Sequence, residues 1–233
     1  MKSYKIQIKL LSDTLLSSGQ GFGSSIDSDI MFDEVGLPFI PARRIKGCLK
    51  DSLKEILEAL LISKNEQLLK QFNWSQETVK ADSILHSLFG KSGQSKSSPM
   101  NISNLYLVEY DQNKNWLNYL TSSNKLIHKE SILSCFTRNR QQIKMEKETG
   151  TTKEGSLRTV RVLNTKFNNE NMVFTGDIEL NTEADAVLIS IACQNLKRIG
   201  SKRNRGFGEV ECILFDEKTN VNEKTLKMLE QLC

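Results

Sequence analysis

The chain has 233 residues, 38% of them hydrophobic and 26% charged, which fits one large domain or two small ones and argues against disorder. No apolar run approaches the ~20 residues that a membrane helix requires, and Met1 to Leu10 alternates rather than building a signal-peptide core. A cytoplasmic protein with no membrane partner is therefore expected. Net charge is only +4, yet segments 43–50, 136–169 and 197–205 carry +4, +5 and +5, so the rest of the chain is acidic. Positive charge gathered into strips in this way is what a nucleic-acid surface needs.

The first predicted element is a half-buried strand, where Tyr4, Ile6, Ile8 and Leu10 alternate with Lys5, Gln7 and Lys9. Leu11 to Gly36 is rich in Ser, Gly and Asp and reads as a loop. Its Gly19-Gln-Gly-Phe-Gly23 run lacks both the Walker lysine and the Rossmann spacing. The same loop carries three carboxylates, Asp27, Asp29 and Asp33. Leu37 to Pro41 is stiff and extended, because residues before proline avoid the α region. A helix follows from about Ala42 to Leu61, its apolar face being Ile45, Leu49, Leu53, Ile56 and Leu60. Arg43, Arg44 and Lys46 in its first turn oppose the macrodipole. An external anion docked there removes the conflict; a solvated turn is the alternative.

Glu66 to Trp74 and Ala81 to Phe89 read as short helices, the second stopped by Gly90, and Lys91 to Asn101 as a loop. Leu105 to Tyr110 is a second strand, with the polar run Asp111 to Asn115 expected to turn the chain after it. His128 to Asn171 is a long polar excursion holding Arg138, Arg140, Lys144, Arg158 and Arg161, with too little apolar material to fold alone. It reads as a β-rich finger that orders on a polyanion, or as a solvated insertion. Val173 to Leu180 is a third strand, with Phe174, Ile178 and Leu180 on its apolar side. Then come a helix (Ala184 to Leu196), a fourth strand (Phe207 to Phe215) and a helical tail from Val221.

Between that helix and the fourth strand lies Ile199 to Val210, with Gly200, Gly206 and Gly208 among Lys202, Arg203 and Arg205. Glycine lets a main chain approach a bulky ligand, and arginine and lysine suit phosphate oxygens. Gly200 as a plain helix C′ cap is the alternative for the first half of the loop. The element order predicts an α+β, ferredoxin-like βαββαβ core, compatible with RNA-recognition modules. One domain is expected over 1–233, with 128–171 inserted into it. Five cysteines without a Cys-x-x-Cys pair suggest neither a zinc knuckle nor a disulfide framework.

Several segments together resemble one family. They are Ile26-Asp-Ser-Asp29, Gly36-Leu-Pro-Phe-Ile-Pro41 with Ile45-Lys-Gly47, Leu88-Phe-Gly90, Arg138-Asn-Arg140 through Leu157-Arg158, and Ile199 to Val210. The chain resembles the RAMP superfamily of CRISPR-associated proteins and, more narrowly, is similar to the backbone subunit of type III effector complexes. The resemblance implies copies stacked along a guide RNA beside other subunits of the complex, with single-stranded target RNA paired to the guide. It implies that the helix turn (Arg43, Arg44, Lys46) and the glycine-rich loop hold the guide, and that 128–171 is a thumb crossing the guide–target duplex. It further implies that a loop aspartate, Asp27 by motif, supports target cleavage at regular sites, with Asp29 and Asp33 as alternatives. Ala42-Arg43 stands where the family often has a small Gly-Ser pair, which changes how the backbone approaches that turn.

The implied chemistry is coherent with the residues. A splayed nucleotide aligns its own 2′-hydroxyl with the neighbouring phosphorus. Asp27 then suits a metal-holding role for Mg²⁺ or another divalent cation, since Mg²⁺ needs only one or two protein carboxylates. An ordinary aspartate pKa near ~3.9 is poorly matched to direct base catalysis. An inert turn-forming Asp27 in a purely structural subunit is the second reading. A stand-alone repeat-processing endoribonuclease is the third, and His86 and His128 are its only candidate histidines.

Overall fold

The computed structural model describes residues 1–17, 19, 26–63, 81–91, 99–123, 127–146, 148 and 150–231. The helix expected over Glu66 to Trp74, most of the loop after Lys91 and residues 20–25 of the first loop lie outside the described residues.

Strand β1 is Lys2–Leu10, and its alternation is realised: Tyr4, Ile6, Ile8 and Leu10 are buried, while Lys5, Gln7 and Lys9 face away from the core. Two further strands flank it antiparallel, β9 (Val173–Leu180) and β10 (Val210–Asp216). Beyond β9 lies β4 (Leu105–Leu107), so the main strands run β10-β1-β9-β4, the order of a ferredoxin-like sheet. Short pieces complete the edges: β2 (Phe39–Ile40) pairs with β4, β3 (Asn101–Ile102) with β9, and β11 (Thr219–Asn220) with β10. Helix α1 (Ala42–Ser63), helix α2 (Ala81–Phe89) and a later core helix, Glu183–Asn195, cover the apolar face. Ile45, Leu49 and Leu53 of α1 are fully buried in the same core as Phe174, Ile178 and Leu214 of the sheet. Nearer its C-terminus the buried residue is Leu57, with Ile56 half-buried.

Two expectations are corrected. The second strand is only three residues long, because Glu109 takes a left-handed conformation (φ 60°) and starts helix α3 (Tyr110–Ser123). The polar run 111–115 therefore opens a helix rather than turning the chain. Asp111 sits in the first turn, where a negative charge favours the dipole, and Leu117 packs toward Val35, Leu37 and Ile132. The excursion likewise begins with a helix, α4 (Lys129–Phe136), anchored by buried Ile132 and Leu133. Only then does it become a hairpin, β5 (Thr137–Gln142) against β6 (Arg158–Leu163), followed by the small ribbon of β7 (Lys166–Phe167) and β8 (Glu170–Asn171). The core helix Glu183–Asn195 is α5. A reciprocal capping box starts it, with Thr182 Oγ1 accepting from Asp185 N–H at 3.1 Å and Asp185 Oδ2 accepting from Thr182 N–H at 3.0 Å. The C-terminal helix is α6 (Val221–Glu230). Among the described residues no helix is long and apolar enough to cross a membrane.

Candidate nucleic-acid interface

The glycine-rich loop is built by crossing residues 12–15. Ser201 N–H donates to Leu15 C=O at 2.9 Å, Gly208 N–H to Asp13 C=O at 2.8 Å, and Ile199 N–H to Gly208 C=O at 2.8 Å. A Cβ on Gly200 would stand 2.5 Å from Leu15 O, and one on Gly208 1.9 Å from Ile199 O. These two glycines thus bring the loop close to the protein's own backbone rather than to a ligand. Gly206, also at positive φ, has open space around it. Lys202 and Gly206 are both left-handed and bracket a short 3₁₀ turn, Arg203–Arg205. That turn presents Arg203 and Arg205 to solvent, while Lys202 Nζ hydrogen-bonds Gln142 Oε1 on the thumb.

At the start of α1, Asn104 Oδ1 accepts from Ala42 N–H at 2.9 Å, so the protein itself caps that amide. Arg43 is exposed. Arg44 donates to Ser17 C=O at 2.6 Å, tying the first loop to the helix. Burial, and Lys50 beside it, lower the pKa of Lys46.

The thumb hairpin is pinned at its base. Asp13, just after β1 and 7% exposed, accepts from Arg138 Nε at 2.8 Å, from Arg138 Nη2, from Arg140 Nη2 at 3.0 Å and from Thr165 Oγ1 at 3.1 Å. Burial pushes its carboxyl up, but the hydrogen bonds from Arg138 and Arg140 outweigh that and hold it below the usual range. Further out, a Met145–Thr152 bridge continues the hairpin, with Lys144 and Arg158 exposed. Arg161 differs from the other predicted contacts. It is buried, with Nη1 3.3 Å from Asp29 Oδ2 and Nη2 3.1 Å from Glu130 Oε2, so its guanidinium serves carboxylates inside the protein.

The three loop carboxylates have separate surroundings. Asp33 Oδ1 accepts from the N–H groups of Val35, Gly36 and Leu37 at 2.8–3.0 Å, and its Oδ2 accepts from Tyr110 O–H at 2.8 Å. Asp29 is buried on Arg161. Asp27 is exposed, with Oδ2 accepting from Thr159 N–H at 2.7 Å.

A cleft of about 1330 Å³ opens between α1, the thumb and the glycine-rich loop. Lys144, Lys153 and Arg158 line it from the thumb, and Lys202, Arg203 and Arg205 from the loop, with Lys197 and Arg198 behind them. Asp51, Glu55 and Glu154 are its acidic members, so the balance is strongly positive. The crowding is felt at Lys202: burial lowers its pKa, Arg205 and Arg158 act the same way, and Asp27 opposes them. Cys48, on the α1 wall, has its thiol pushed up by burial, with Arg203 and Arg44 acting the other way. A second hollow of about 640 Å³ is lined by Arg138, Arg140 and Arg205 and shares Gln142 and Arg205 with the first. The thumb and loop strips thus share one connected surface, whereas Arg43, Arg44 and Lys46 of the helix turn line neither hollow.

The family model of the RAMP superfamily matches residues 7–211. The chain belongs to the RAMP superfamily. Among solved structures, this RAMP chain is similar to a chain of the cryo-EM structure of type III-B Cmr-beta bound to cognate target RNA. The identity there is 12%, the TM-score 0.58, and the match covers 92% of this chain and 97% of that one. For type III-B Cmr-beta in the apo state the values are 14%, 0.56, 93% and 98%. No curated protein matches the sequence. Sequence reasoning missed four residues that shape this RAMP surface: Asp13, Asn104, Glu130 and Gln142. Each acts across the fold, on partners 31 to 152 residues away in the chain. The one local signal was an acid directly after the alternating strand, at Asp13.

Proposed function

We propose that this RAMP protein is a guide-RNA-binding subunit of a type III CRISPR ribonucleoprotein, working with further copies of itself and with other subunits. The observation that carries the reading is the basic cleft, which α1, the thumb and the glycine-rich loop build together. Its cations suit a ribose-phosphate backbone, and target sequence would be read by pairing to the guide. The likeness to chains from type III-B Cmr-beta structures, one with cognate target RNA, supports the same assignment.

The finer part of the proposal is that Asp27 supports cleavage of target RNA. Asp29 and Asp33 are engaged within the protein, and Asp27 is the exposed carboxylate, paired to Thr159 next to the cleft-lining Arg158. Lys202 and Arg158 would hold the phosphate beside it, and a splayed nucleotide would present its 2′-hydroxyl in line. Among the described residues no three His, Cys, Asp or Glu side chains gather to hold a metal. A Mg²⁺ ion, which needs only one or two protein carboxylates, would be held by Asp27. Such an ion would supply charge stabilisation at the phosphate. A second reading, an inert Asp27, is favoured by its paired hydrogen bonds to Thr159, which a purely structural aspartate would also make.

The test is reconstitution with Asp27→Ala. Guide RNA should still co-purify, while target cutting falls by about 100-fold or more, the scale of a lost positioned catalytic group. Chelation of divalent metal should stop cutting by the unmodified complex without releasing the guide. Unchanged cutting by Asp27→Ala would leave the structural subunit as the answer, and full activity in chelator would remove the cation.

A further inference from the structure

The geometry points to Arg161 as the positioning residue for Asp27, with the thumb strand and the Asp27 loop acting as one conformational unit. This inference rests on the reading of Asp27 as the group that supports target cleavage. Asp27 makes two hydrogen bonds to one thumb residue: its N–H donates to Thr159 C=O at 2.9 Å, and Thr159 N–H donates to its Oδ2 at 2.7 Å. The pairing continues, since Arg161 N–H donates to Ser28 C=O at 3.0 Å and Ser28 bridges Val160 in parallel. Residues 27–29 therefore lie as an added parallel segment on the edge of β6 opposite β5.

So short a segment has few ladder bonds to fix its register, and a slip of one residue turns every side chain to the other face. The ion pair supplies what the ladder lacks. Arg161 and Asp29 are 8% and 4% exposed, and they join the third residue of the segment to the strand beneath it. The second arm of Arg161 reaches the half-exposed Glu130 on α4, the helix that enters the thumb. Asp29 is further held by its own Oδ1, which accepts from Ile30 N–H at 2.8 Å. The ion pairs of Arg161 go to Asp29 and Glu130, so it acts on the Asp27 segment through Asp29 and the strand. Arg158, exposed on the cleft, is the residue before Thr159. A phosphate held at Arg158 is thus one residue from the amide that orients Asp27, and displacement of the thumb by RNA carries the Asp27 carboxylate with it.

The experiment uses the reconstituted complex with Arg161→Met/Asp29→Asn, which removes both buried charges together and leaves neither stranded. Arg161→Lys is the conservative companion and Asp27→Ala the control. The double variant should keep its guide. The backbone amides at positions 27 and 161 should exchange hydrogen about tenfold faster or more, the mark of local opening. Target cutting should fall by about 100-fold, the scale of a misplaced reacting group, with Arg161→Lys in between. Cutting at the wild-type rate by the double variant, beside an inactive Asp27→Ala, would overturn the assignment. Loss of guide together with cutting would do so too, marking Arg161 as a residue of folding or binding. Undiminished cutting by Asp27→Ala would instead strike the role of Asp27, and the exchange rates would still decide whether Arg161 holds the loop.

Discussion

Gly206 and Gly208 have the same φ of 78° but meet opposite constraints. Gly208 sits where the glycine-rich loop closes on itself, and any Cβ there meets the Ile199 carbonyl head-on. Neither partner is a flexible side-chain end, so the backbone itself would have to move. Gly206 looks into open space, where only the left-handed conformation opposes a side chain. Gly208→Ala should therefore lose more than about 3 kcal/mol, combining strain with a broken crossing. Gly206→Ala should lose about 1–2 kcal/mol, the ordinary left-handed penalty. Urea unfolding of the two variants checks this, and equal losses would contradict the geometry. The sequence marks all three glycines as special but does not say which serve the protein and which face outward. That depends on residues 12–15 running beneath the loop, a contact nearly 200 positions away in the chain.

At the scale of elements, the thumb hangs on Asp13. Its carboxyl is held below its ordinary pKa in the folded protein, since the arginine hydrogen bonds outweigh burial. A depressed folded value means the stabilisation is fully present above the unfolded value near ~3.9 and is lost as pH falls through the lower folded value. Stability should then drop as pH is lowered beyond about 4, and Asp13→Asn should be weaker at neutral pH yet flatter through that acid range. Urea midpoints between neutral and acid pH read this out, and parallel curves for the two proteins would refute the anchor. Elements whose signal is local were legible: the alternation in β1, the i, i+3/i+4 face of α1, the apolar run of α5. Helix α3 was not, because it has no fully buried residue and its polar start resembles a turn. The thumb was legible as charge and as β-rich, but its entry helix, resting on Ile132 and Leu133 alone, was lost inside a polar stretch.

For the whole molecule, the decisive question is whether charge scattered along the chain becomes one electrostatic surface. The sequence shows three positive strips. The fold distributes them unequally, spending Arg161 on Asp29 and Glu130 and turning Arg138 and Arg140 partly to Asp13. What remains for a polyanion is concentrated at the cleft, in Lys202, Arg203, Arg205 and Arg158. Counterion release gives this a measurable form, because log affinity falls with log salt by about 0.7 for each phosphate neutralised on a single strand. Arg203→Ala should therefore weaken guide binding similarly for guides of any sequence and flatten the salt slope by about 0.7. Arg161→Lys keeps the charge at a position facing carboxylates inside the protein, so the slope should not change. Were Arg203→Ala to leave the slope intact while Arg161→Lys flattened it, the RNA backbone would have to follow a path other than this cleft.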